Sequence, residues 1–210
     1  MSTASESLFS VAEFRRRASR ETGQAEAEHL GDHSINPSFR DSILKQDLRG
    51  AAVLIAVVER QGGPNVIMTQ RTESLRSHSG QVAFPGGRID RQDPSPEAAA
   101  LRETREEIGI PEKKIEIVGR MPDYATGSGY LIAPVLGIAA PDIRYDINPA
   151  EVADAFEVPL DYLMNPANHR RESRIFDGRE RHFWTMPFGK RYIWGVTAGI
   201  IRSLYERLYD

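Results

Sequence analysis

Apolar positions fall into blocks of two periods. Leu8, Val11 and Phe14 follow Ser7 at helical spacing and predict a short amphipathic helix over 8–18, with a capping box at Ser10 and Glu13 that would move its start to Val11. Residues 21–47 are polar and turn-rich and read as a connection or surface arm. Two β-branched runs, AAVLIAVVER and NVIMTQR, flank Gly62, Gly63 and Pro64 as a hairpin would. Further strands are expected at 115–121, 131–139 and 155–159, and in the aromatic stretch 181–194 with a turn from Pro187 to Lys190. Ile200, Ile201, Leu204 and Leu208 recur at helical spacing and predict a C-terminal helix packed on the sheet. Strand groups and two or three helices without regular βαβ alternation indicate an α+β protein with a mixed sheet between helices. The expected division is an N-terminal helix and surface arm over 1–45 and one domain over 46–210.

One further helix carries chemistry. Ser95, Pro96 and Glu97 supply an N-cap hydroxyl, a proline at the first helical position and a first-turn acid, while Gly109 and Pro111 close the other end. At about 100° per residue, Glu103, Glu106 and Glu107 share a sector roughly 100° wide, with Leu101 and Ile108 on the opposite, core side. Ala99 and Ala100 lie one turn earlier on the carboxylate side and predict a low, open surface there. Acids at a helix C-terminus oppose the helix dipole by about 0.3 to 1 kcal/mol each. A divalent cation would reverse that sign, and an all-oxygen donor set suits magnesium or manganese. A solvated charged face, with Arg102 offsetting Glu106, is the competing reading.

Composition narrows the alternatives. The 210 residues, 40% apolar and 27% charged, fit one globular domain with an extended terminus. A net charge of -3 and 27 Lys+Arg spread along the chain argue against a nucleic-acid partner. With no cysteine, a metal must be held by oxygen or imidazole. No apolar run approaches a membrane span, and Glu6 and Glu13 argue against a transit peptide in the Ser/Arg-rich start, so the expected location is cytoplasmic.

The segment before the helix, HSGQVAFPGGRID, holds Gly80, Gly86 and Gly87, which let backbone approach a ligand or ion closely. Arg71, Arg76 and His78 precede it and could meet a phosphate-rich substrate. Together these segments resemble the Nudix hydrolase signature, G-x5-E-x7-R-E-U-x-E-E-x-G-U with U apolar. Arg102, Glu103, Glu106, Glu107, Gly109 and Ile110 match its second half one for one. The first half departs: the early Glu would fall on Pro94 and its Gly on Arg88, and Thr104 replaces an apolar residue. The stretch MTQRTESLRSHSGQVAFPGG is similar to the pattern of the coenzyme A pyrophosphatases of that group, through Thr69, Arg71, Arg76, Gly80, Phe84, Pro85, Gly86 and Gly87.

The resemblance implies a Nudix-type α/β/α sandwich and hydrolysis of coenzyme A to 4′-phosphopantetheine and adenosine 3′,5′-bisphosphate with Mg2+ or Mn2+. It implies Glu103 and Glu107 as main metal ligands, Glu106 as ligand or base, a carbonyl of Gly86 or Gly87 completing the shell, and Arg102 as a brace. Arg71, Arg76, His78 and Gly86 are the candidates for substrate contact. Glu151 is a candidate loop base; Glu157 is expected in a strand. The loop ATGSGY reads as a pocket lining or a plain hairpin, and Phe183, Trp184, Tyr192 and Trp194 as core or dimer surface. Family habit leaves a homodimer open. Other nucleotide substrates such as ADP-ribose, NADH or oxidised nucleotides, a catalytically silent nucleotide-binding domain, and a metal-free acidic interaction helix remain alternatives.

Overall fold

Alternation along one strand decides the layering. In the strand Arg49–Arg60, Ala52, Leu54, Ala56 and Val58 enter one buried cluster, while Ile55 and Val57 enter another. Successive strand side chains point to opposite faces, so this strand is covered on both. The computed structural model describes residues 8–23, 30–73, 80–176 and 178–210. Its elements in chain order are α1 (Val11–Ala18), β1 (Leu30–Gly31), α2 (Arg40–Leu44), β2 (Arg49–Arg60), β3 (Gly63–Arg71), β4 (Val82–Ala83), β5 (Gly86–Arg88), α3 (Pro96–Ile108), β6 (Ile115–Arg120), β7 (Tyr124–Ala125), β8 (Tyr130–Ala139), β9 (Val152–Pro159), α4 (Leu160–Leu163), β10 (Arg170–Phe176), β11 (Arg179–Phe188), β12 (Arg191–Trp194) and α5 (Gly195–Leu208).

The larger sheet runs β1-β7-β8-β2-β3-β4, with β5 paired to β2, β6 to β8 and β9 to β3. It is mixed, because β2 pairs with β8 in parallel and with β3 and β5 antiparallel. On one face α3 packs Ala99, Ala100 and Ile108 against Ala52, Leu54 and Val58. On the other, Phe14 of α1 and Ile201 and Leu204 of α5 join Ile55, Val57 and Met68. Each large apolar side chain taken from water contributes about 1.5–3 kcal/mol, so both helix layers hold the sheet. The fold is an α/β/α sandwich. A second sheet, β10-β11-β12, joins the α5 side through Met186 and Ile193.

Most predicted elements are present. The first helix starts at Val11, and Ser10 Oγ accepts from the Glu13 N–H at 3.1 Å. The hairpin closes with Arg60 opposite Gly63, and Phe188 opposite Arg191 brackets the predicted aromatic-stretch turn. Two readings needed revision. The described part of the 21–47 arm contains β1 and α2, and Leu30 and Gly31 pair in parallel with Tyr124 and Ala125. Asp32 anchors the arm by accepting from Tyr124 Oη, the Gly127 N–H and Arg181, each at 3.0 Å. The loop ATGSGY is therefore tied to structure by its backbone. The strand β10 was not predicted, because RRESRIF has no alternation until its last two residues.

Candidate active site

The helix α3 occupies the span its caps predict. Ser95 Oγ accepts from the Ala98 N–H at 3.2 Å, and Gly109 ends the helix with its N–H on the Arg105 carbonyl at 3.0 Å. Its orientation differs from the predicted one. Ala99, Ala100, Thr104, Glu107 and Ile108 are buried, whereas Leu101 is only half-buried. The two alanines do not form an open surface; their small side chains let the helix lie close on β2 and β5. That closeness brings Thr104 and Glu107 into the interface. Thr104, which stands where the signature is apolar, satisfies its hydroxyl on the Ala100 carbonyl at 2.7 Å.

Glu107 is 2% exposed and meets the Gly86 N–H at 3.1 Å and Arg71 Nη1 at 3.5 Å. Burial pushes its carboxyl up to about 7, aided by Glu103 and Glu151 and opposed by the Gly86 N–H and Arg71. Gly86 is required where it stands: a Cβ would lie 2.3 Å from the Ala52 carbonyl oxygen, and φ is 153°. The next glycine serves the neighbouring acid, since a Cβ on Gly87 would lie 2.4 Å from the Glu103 carboxyl carbon. Burial also raises the Glu103 carboxyl, against the pull of Arg102. Glu106 is more exposed, with 46% of its side chain accessible.

Arg102 holds this end of the helix together. Its guanidinium donates to Glu103 and Glu106, both at 2.9 Å, and to the Arg88 carbonyl at 3.0 Å. It also makes a two-pronged contact with Asp93, at 3.0 and 2.9 Å. Arg102 keeps the Asp93 carboxyl below its ordinary range, and Asp93 in turn raises Arg102. Sequence reasoning missed Asp93. It sits one residue before the position where the signature's early acid would fall, so an offset of one would have found it. Glu97 is elsewhere, beside Arg120 at 3.5 Å.

The loop after β8 closes the site. The Asp146 and Asn148 N–H groups donate to the Ile108 and Glu107 carbonyls at 3.0 and 2.9 Å, capping α3. The Thr72 N–H donates to the Glu151 carbonyl at 3.0 Å, which joins that loop to the end of β3. Glu151 thus lies near enough to Glu103 and Glu107 to raise both. Glu157 is in β9, bonded to Arg60, Asn65 and Tyr145, away from this cluster. Phe183 and Trp194 stack edge to face in the small sheet. Arg76 and His78 lie outside the described residues.

The structure thus brings together Arg71, Gly86, Gly87, Arg102, Glu103, Glu106, Glu107 and Glu151. A family model described as the NUDIX domain matches residues 48–177. The chain belongs to the Nudix family. The Nudix hydrolase NudL of Citrobacter koseri is 42% identical over 156 residues, 74% of this chain and 81% of that protein. NudL of Enterobacter sp. (strain 638) is 39% identical over 170 residues, 81% and 87% of the two chains. Among solved structures, the Nudix hydrolase RenU of M. smegmatis aligns with a TM-score of 0.43 at 25% identity, over 54% of this chain and 71% of that one. This Nudix protein is a pyrophosphohydrolase of nucleoside diphosphate-linked substrates.

Nudix hydrolases generally need divalent ions such as Mg2+ or Mn2+. Among the described residues no group of three or more His, Asp or Glu side chains converges tightly enough to hold one. The carboxylates point instead at the chain's own cations and amides, Glu103 and Glu106 at Arg102 and Glu107 at Gly86 and Arg71. The chemistry of the donor set still fits. Three acids share one helix end, two are desolvated enough to be raised, and Arg71 Nε beside them is buried without a hydrogen-bond partner among the described residues. No helix among the described residues is long and apolar enough to cross a membrane.

Proposed function

We propose that this Nudix hydrolase cleaves the pyrophosphate of coenzyme A or a derivative, releasing 4′-phosphopantetheine and adenosine 3′,5′-bisphosphate. One observation carries the reading: Glu107, from the signature helix, meets Gly86 and Arg71, both from the loop pattern that resembles coenzyme A pyrophosphatases. Two motifs separated in sequence therefore serve one carboxylate.

Water attacks one phosphorus and the bond from that phosphorus to the bridging oxygen breaks. The obstacle is the negative charge of the anhydride. Arg71, whose Nε has no hydrogen-bond partner among the described residues, offers a guanidinium to the phosphate oxygens. Glu151 or Glu106 takes the proton of the attacking water, the former from a loop fixed to the end of α3. Glu103, Glu106, Glu107 and the Gly87 carbonyl would hold Mg2+ or Mn2+, and Arg102 keeps Glu103 and Glu106 in place between turnovers. When bound, the cation offsets phosphate charge and makes water more acidic.

The test is a hydrolysis screen of coenzyme A, ADP-ribose, NADH and oxidised dGTP with Mg2+ or Mn2+, for the parent and Glu107→Gln. Coenzyme A is expected to be turned over fastest, and the variant to lose at least about 100-fold in kcat. Preference for ADP-ribose would defeat the substrate assignment. Unchanged turnover in Glu107→Gln would defeat the ligand assignment, and no turnover of any compound would favour a silent nucleotide-binding domain.

A further inference from the structure

The strand β10 is exposed at every residue, and two of the three exposed large apolar side chains among the described residues, Ile175 at 72% and Phe176 at 61%, stand at its end. Among the described residues it pairs with β11 on one side only, so its other edge presents backbone groups that none of them pairs.

Which groups face that edge follows from the register. Ser173 lies opposite His182, and His182 turns its N–H and C=O away from β10, to the Asn36 side chain at 2.8 and 2.9 Å. In an antiparallel ladder the residue opposite such a position also turns its backbone groups outward. Ser173 therefore faces the open edge, and so do Arg171 and Ile175, two positions either side. Glu172, Arg174 and Phe176 hold β10 to β11 and share one face, where Arg174 lies over the Phe183 and Trp194 rings.

We propose that this edge pairs with the same edge of a second copy of the chain, antiparallel about a two-fold axis at Ser173. That register sets Arg171 opposite Ile175 and Ser173 opposite itself as hydrogen-bonded pairs. It places Glu172 opposite Arg174 twice over, and Arg170 opposite Phe176, where a guanidinium can cover the ring. The neighbouring symmetric registers are worse: an axis at Glu172 sets Glu against Glu, one at Arg174 sets Arg against Arg, one at Arg171 sets Arg against Arg although it pairs Glu172 with Arg170, and one at Ile175 loses both Glu172–Arg174 pairs. The charge pattern of RRESRIF thus selects one self-complementary pairing, which is the reason to assign the edge to a second copy and not to an unrelated peptide. This inference does not depend on the substrate.

The full chain is examined by sedimentation velocity over a roughly hundred-fold concentration range, with amide hydrogen exchange in parallel. A concentration-dependent dimer is expected, in which the Arg171, Ser173 and Ile175 amides become protected. Ser173→Pro removes an edge N–H that the monomer does not use, so it is expected to stay folded and remain monomeric. Glu172→Arg and Arg174→Glu are each expected to weaken the dimer at least about tenfold, and the double exchange to restore it. A monomer throughout, edge amides protected only when an unrelated extended peptide is added, or a dimer indifferent to these substitutions overturns the proposal.

Discussion

Glu107 is the residue in which function and stability pull apart. Its folded value of about 7 lies above the ordinary 4.5 because the site withdraws it from water. The folded chain therefore binds this proton more tightly than the unfolded chain does. The stabilisation is complete below about pH 4.5 and declines as pH rises to about 7, after which it levels off. The loss is about 3 kcal/mol at one unit per roughly 1.4 kcal/mol. Glu107→Gln keeps the shape and removes the ionisation. With a chelator present, its thermal stability relative to the parent is expected to improve between about pH 5 and about pH 8, and added Mg2+ should narrow the gap. Parallel profiles would mean that the carboxyl is not desolvated.

At the scale of elements, the unit to consider is the loop before α3 together with the helix end it grips. Asp93, 7% of whose side chain is accessible, fixes Arg102, and Arg102 fixes Glu103 and Glu106. Asp93→Asn should reduce kcat about 10- to 100-fold, the usual effect of removing a group that orients a ligand. Asp93→Glu should recover part of it, and the cation concentration for half-maximal rate should rise in Asp93→Asn. The shared helix end of the acids and the caps of α3 were legible in the sequence because caps and spacing are local chemistry, whereas Arg102 as their brace came from the resemblance to the Nudix signature. Asp93 was not, since its role depends on a loop one residue out of step with the signature. The burial of Glu107 was also hidden, because periodicity predicts which residues share a face but not which face meets the sheet. For β10, pairing alone makes the strand, and pairing leaves no pattern in RRESRIF.

For the whole molecule, the N-terminal helix falls outside the domain expected over 46–210, although the sequence favours a helix docked on it. Phe14 is completely buried in the cluster that includes Leu204 and Leu208 of α5. Phe14→Ala is expected to cost about 3–5 kcal/mol, read as a lowered denaturant midpoint with an unchanged slope. The rate per folded molecule should be unaffected, because Phe14 and the acids of α3 lie on opposite faces of the sheet. A change below about 1 kcal/mol would show the helix to be an appendage.

The alternation in β2 has a further consequence for anyone redesigning this enzyme. Ile55 and Val57 belong to one layer and Leu54, Ala56 and Val58 to the other, and β3 divides in the same way, with Val66 and Met68 in the first and Ile67 in the second, so the two layers meet across strand backbones that they share. A library confined to α1, α5 and the strand residues beneath them can be screened for heat tolerance if it spares Val82, Phe84 and Thr197, which join this layer to the Gly86 loop that holds Glu107. A library on the α3 side alters catalysis and durability together and has to be selected for both.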